Sequence, residues 1–117
     1  MENKNCFYCK IARREIKAEF IAETNNFFAI RDADPKTRGH SLVIPKKHFV
    51  TLLDLPNKLG EEMLTITKKV SSDLLEKKFG DGFNVLMNNL DCAGQIVKHA
   101  HLHIIPRKEG DKLKVIG

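Results

Sequence analysis

Three of the five histidines in this 117-residue chain, His99, His101 and His103, stand at alternate positions in the stretch KHAHLHIIPR. Imidazole titrates near neutrality, so such a row can bind a transition metal, act as nucleophile or base, or hold developing negative charge. A second reactive group stands near the amino end, where Cys6 and Cys9 have the C-x-x-C spacing. That spacing alone is shared by zinc sites, redox pairs and coincidence.

Alternation by two is the period of a strand. It sends His99, His101 and His103 to one face and Ala100, Leu102 and Ile104 to the other, where the apolar set packs on a core. On a helix, His101 would lie about 200° around from His99. The β-branched Ile104 and Ile105 agree with a strand, and Pro106 is the expected stop. On that strand the histidines read as surface residues of a half-exposed face, as zinc ligands, or as a catalytic imidazole with two helpers.

The elements that must hold this row follow from patterning. CFYCKIARREI is a short amphipathic helix, with Phe7, Ile11 and Ala12 on one side and Lys10, Arg13 and Arg14 on the other. EFIAE and NFFAIRD are two strands around the turn residues 24–26, and HSLVIP is a strand after the loop 33–39. Over residues 56–79, Leu59, Met63, Ile66, Val70 and Leu74 line one helical face; Asp54 and Pro56 suit its start and Gly80 its end. GFNVLMNN is a fourth strand, LDCAGQ a loop and VKHAHLHIIP the last strand, while the tail RKEGDKLKVIG carries weak signals. The prediction is a single α+β domain over residues 1–117: an antiparallel sheet of about five strands with one long and one short helix.

Composition excludes several classes. Hydrophobic residues make up 42% and charged residues 30%, a globular balance. No apolar run nears the roughly 18 to 20 residues of a membrane span, and MENKNCFYCK lacks an apolar signal core, so a soluble cytoplasmic protein is expected. A net charge of +5 favours anionic partners. The lysines are scattered, with one Tyr and no Trp, so a nucleic-acid module is not expected. An odd number of cysteines, the third being Cys92, argues for reduced thiols over a disulfide framework.

HAHLHII has the form His-φ-His-φ-His-φ-φ and resembles the signature of the histidine triad family of nucleotide hydrolases and transferases. AGQIVKHAHLHIIPRKEGD is similar to its fragile histidine triad branch, and GHSLVIPKKH and CFYCKI to its nucleotide-binding branch. The likeness runs from about Cys6 to Gly110. It implies cleavage at the α-phosphorus of a purine nucleotide through a covalent nucleotidyl-histidine, with His101 as nucleophile and a backbone carbonyl fixing its tautomer. By the same resemblance His103 bonds phosphate oxygens or the leaving atom. Asn88 and Gln95 place amides around the phosphate and the nucleophile, Asp32 holds the ribose, and Phe7, Ile11 and Ile30 sandwich the base. His40 corresponds to a further histidine near the phosphate. Ile96 departs from the pattern, standing where Ser or Thr usually offers a hydroxyl.

The resemblance further implies a structural zinc site from Cys6, Cys9, His48 and His99, which makes His99 a positioning element. It also implies a homodimer. The expected activity is AMP release from a nucleoside 5′-phosphoramidate. The alternatives are dinucleoside polyphosphate hydrolysis and a nucleotide-binding protein with vestigial turnover.

Overall fold

A computed structural model of the chain describes residues 4–115. In chain order it contains α1 (Phe7–Ala12), β1 (Ala22–Glu23), β2 (Phe27–Arg31), β3 (Ser41–Pro45), α2 (Gly60–Glu76), β4 (Gly82–Leu86) and β5 (Leu102–Arg107). The five strands form one antiparallel sheet in the order β1-β2-β3-β5-β4. Both the fold class and the strand count match the sequence expectation.

The sheet is covered on both faces, which explains why β2 and β3 read as unbroken apolar runs instead of alternating ones. On one face Phe27, Ala29, Val43 and Ile104 pack against Ile66, Val70 and Leu74 of α2. On the other, Phe28, Ile30, Leu42 and Ile44 pack against Tyr8, Cys9 and Ile11 of α1. Burying side chains of this size is worth about 1.5 to 3 kcal/mol each, so α1, though short, is anchored by contacts and not by its own helicity.

Several boundaries differ from the expectation, three of them at the ends of α2 and at the end of β5. The long helix begins at Gly60, because Asp54 caps a separate 3-10 turn (Leu52–Asp54) in a capping box with Thr51, and Pro56 precedes another (Asn57–Leu59). At its other end Lys78, with φ of 62°, takes the left-handed position expected of Gly80. Phe79 and Lys78 then donate N–H bonds back to Leu74 and Leu75. Gly80 answers a different need: a Cβ there would sit 2.8 Å from the backbone N of Arg107.

The third is Pro106, which lies inside β5 and does not end it. The carbonyl of Arg107 accepts from Asp81 on the β4 side. Pro106, one residue earlier, therefore faces the other way, where β3 pairing has already ended at the Ser41↔Ile104 rung. No ladder donor is missing there, and the Thr37 hydroxyl bonds the Pro106 carbonyl at 2.7 Å.

Candidate active site

The histidine row straddles the start of β5. Only His103 is on the strand, and His99 and His101 precede it, so the expected strand from Val97 begins five residues late, at Leu102. Continuing the Val43↔Leu102 register would set Ala100 beside Pro45, which has no N–H to give. Ala100 donates instead to the carbonyl of Phe49. The face assignment nevertheless stands for the paired part, since Leu102 and Ile104 pack toward α2.

This irregular entry positions the imidazoles. The Nδ1–H of His101 donates to the carbonyl of His99 at 2.7 Å, leaving the lone pair on Nε2. Burial lowers the pKa of His101 and holds the ring neutral. The tautomer of His103 follows from a longer chain of bonds. The backbone N–H of Lys36, an obligate donor, bonds His40 Nδ1 at 3.0 Å. The proton of a neutral His40 must then sit on Nε2, which lies 2.9 Å from His103 Nδ1. His103 accepts there and carries its own proton on Nε2. Burial lowers the pKa of His40 and pushes His103 down to about 4, so both stay neutral near pH 7. Two neighbouring imidazoles, with ring centroids 4.9 Å apart, thus present opposite faces to a ligand: a nucleophilic nitrogen and an N–H donor.

His101 and His103 line an open cavity of about 510 Å³ with Asn88, Ile96, Asp32 and Tyr8. Phe7, Ile11 and Ile30 come together on a second, apolar cavity of about 340 Å³, which shares Tyr8 and Asp32 with the first. Asp32 therefore stands at the junction of an apolar slot and a histidine-lined chamber. Its Oδ1 accepts the N–H of Asp34 at 2.9 Å, and its Oδ2 lies 3.4 Å from His40 Nε2. Ile96 is 89% exposed and offers the chamber no hydroxyl. Gln95 is placed differently from the expectation. It is buried, its amide donates to the Val50 carbonyl and accepts the Leu90 N–H at 2.7 Å, and it serves to tie two loops together.

Tyr8 carries no sequence signal of function beyond its place in CFYCKI. It is buried between the two cavities, and its ring meets His101 and His99 edge-on, with centroids 5.1 and 5.8 Å away. Burial pushes its hydroxyl up to about 12, so it remains a neutral donor.

Behind the row, Cys6, Cys9, His48 and His99 form a cluster that could hold a metal ion. His99 is fully buried and its Nε2–H donates to the Pro45 carbonyl at 2.7 Å, which turns the Nδ1 lone pair toward the cysteines. From that nitrogen Cys6 Sγ lies 3.1 Å away, Cys9 Sγ 3.4 Å and His48 Nδ1 3.3 Å. A tetrahedral site with ordinary Zn–N and Zn–S lengths has edges of about 3.3 to 3.8 Å, which the Cys9 and His48 distances meet and the Cys6 distance of 3.1 Å falls slightly short of, and the donor set suits zinc. Burial raises Cys6 to about 11, and a metal bound there would displace its proton. Asp32, His40 and His103 also converge. There the Lys36 N–H keeps the His40 proton on the nitrogen a metal would need, so this trio is a hydrogen-bonded chain. Cys92 is an exposed free thiol.

A family model described as the HIT domain matches residues 13–110. The chain is 36% identical over 112 residues to adenosine 5′-monophosphoramidase HNT1 of Saccharomyces cerevisiae, covering 96% of this chain and 68% of that one. It is 39% identical over 109 residues to adenylylsulfatase HINT3 of Arabidopsis thaliana, covering 93% of this chain but 55% of that one. Among solved structures it is similar to a Zn-bound histidine triad family protein from Mycobacterium smegmatis, with a TM-score of 0.87, 40% identity, and 94% and 80% of the two chains covered.

Proposed function

The chain belongs to the histidine triad family, and on that premise we propose that it releases AMP from adenosine 5′-phosphoramidates through a covalent adenylyl-His101. The observation that carries this reading is the bond from His101 Nδ1–H to the His99 carbonyl, because it makes Nε2 a neutral nucleophile in a residue that lines the chamber. The monophosphoramidase and adenylylsulfatase relatives support a nucleotide substrate cleaved at the α-phosphorus.

In the proposed first step His101 Nε2 forms a bond to phosphorus as the P–N bond breaks, and the departing nitrogen takes up a proton from solvent. His103 Nε2–H donates a hydrogen bond to a phosphate oxygen or the leaving nitrogen as charge develops. Water then attacks the adenylyl-imidazole, releases a proton and returns His101 to its neutral form. Asp32 is placed to accept from ribose hydroxyls, Phe7, Ile11 and Ile30 to sandwich the base, and Asn88 to donate its amide to the phosphate. The His99 carbonyl keeps the His101 ring oriented throughout.

Cys6, Cys9, His48 and His99 would hold a structural zinc, whose chemistry there is to lock four side chains in one geometry. The donor spacing supports this, as does the Zn-bound relative. A homodimer is supported by the edge position of β4, where Phe83 and Val85 are 42% and 43% exposed.

The test is AMP release from adenosine 5′-phosphoramidate by wild type and His101→Ala. The expected result is a loss of roughly 10³-fold or more in the variant, with an adenylylated protein trapped by acid quench in the wild type alone. Release that survives the substitution would overturn the reading.

A further inference from the structure

Tyr8 of α1 takes no part in the chemistry above, and its hydroxyl is unaccounted for. The residue is only 6% exposed, and no described residue hydrogen-bonds that hydroxyl. A buried phenol ordinarily has a partner, because its O–H gives up water on folding. Among the described residues, the side-chain polar atoms that are both sealed and unbonded are Thr67 Oγ1 and Ser71 Oγ. Tyr8 Oη is not one of them, so it keeps an opening, and the openings beside Tyr8 are the two cavities that it lines.

The ring that carries the hydroxyl is held in place. It meets His101 and His99 edge-on, at an interplanar angle of 81° to each, and α1 itself is anchored in the core by Cys9 and Ile11. A donor held in this way is oriented before a ligand arrives and loses little further freedom on binding.

Its companion at this place is Asp32. Among the described residues these two alone line both the apolar slot and the histidine chamber. A nucleotide with its base in the slot and its phosphate at His101 must lay its ribose across the junction. The Asp32 carboxylate is an acceptor only, so it can take the protons of ribose hydroxyls while their oxygens still call for a donor. The Nε2–H of His40, beside Asp32, is committed to His103. The Tyr8 O–H, at the same junction, is uncommitted. We propose that Tyr8 Oη donates to a ribose hydroxyl of the bound nucleotide and, with Asp32, selects ribonucleotides over their deoxy counterparts. The inference rests on the proposed nucleotide reading. A site that bonds a substrate hydroxyl rejects the analogue without it, because a buried polar group is then left unpaired.

The test measures Kd by calorimetry for AMP, 2′-deoxy-AMP and 3′-deoxy-AMP in wild type and in Tyr8→Phe, a substitution that removes one oxygen and keeps the ring. AMP is expected to bind the variant about 2- to 12-fold more weakly. For the deoxy nucleotide that lacks the contacted hydroxyl, the same substitution should cost less than about twofold, because deletions at the two ends of one bond are not additive. The ligand-free Tm should stay near wild type. Equal affinity of the two proteins for AMP overturns the proposal. So does a weakening shared equally by all three nucleotides, which places the contact away from the ribose hydroxyls. Either result leaves the nucleotide reading standing, whereas a wild type that binds none of the three removes both.

Discussion

The Nε2 of His40 lies 2.9 Å from the Nδ1 of His103, and the backbone N–H of Lys36 donates to the other nitrogen of His40 at 3.0 Å. A main-chain amide, which cannot reverse its role, therefore dictates through one imidazole where the next carries its proton. His40→Phe keeps a ring in place but ends the chain of bonds. The expected outcome is a kcat lower by about 10- to 100-fold with little change in KM. In ¹⁵N-resolved spectra His103 should be the Nε2–H tautomer in wild type and a mixture in the variant; an unchanged tautomer and rate would sink the relay.

Acid should destabilise the protein through the same residue. His103 has its pKa pushed down to about 4 by burial, against about 6.5 in an unfolded chain. Between those values the unfolded state binds more protons, so stability is full above about pH 6.5, declines as pH falls toward 4 and levels off below. The contribution of this one group is of order 3 kcal/mol. Urea unfolding at pH 7, 5.5 and 4 checks it, with His103→Asn expected to show a shallower decline than wild type.

The cysteine–histidine cluster predicts close to one zinc per chain by elemental analysis. Removing the metal with a chelator, or removing a ligand by Cys9→Ser, is expected to lower Tm by about 10 °C or more, since binding energy at such a site is folding energy. The same treatments should slow turnover, because His99 both faces the two cysteines of the cluster and offers the carbonyl that orients His101. A metal-free protein of unchanged Tm would contradict this.

Ile96 is almost fully exposed on the chamber rim. Ile96→Ser should alter stability by no more than about 0.5 kcal/mol, as expected of a surface position. On the proposed function it adds a hydroxyl toward an ionised phosphate, and a hydrogen bond of about 1.5 to 3 kcal/mol corresponds to a roughly 12- to 160-fold gain in rate. Steady-state kinetics on the phosphoramidate measure it; a loss of rate would show that Ile96 contributes by shape.

Much of the molecule was legible from residues in order. Patterning located both helices and all five strands, because an apolar face repeats at the helical period and runs of strand-forming residues are bounded by turn residues. The His-φ-His-φ-His row, the C-x-x-C pair and their likeness to one family marked the residues that now surround two cavities and a possible metal cluster. Period two also told which residues leave β5 toward α2.

Tertiary structure alone decided how those residues work. Where β5 begins depends on Pro45 across the sheet, which has no donor for the next rung. Gln95 looked like a phosphate ligand, yet its amide is engaged by the backbones of Val50 and Leu90. The His103 tautomer depends on Lys36 and His40, and the placement of the tail on the bonds between Arg107 and Asp111 in a stretch without strong patterning. The reason is common to all four: hydropathy and spacing record which face a side chain takes, whereas hydrogen-bond direction is set by the particular atom that meets it, and that atom arrives only when the chain has folded.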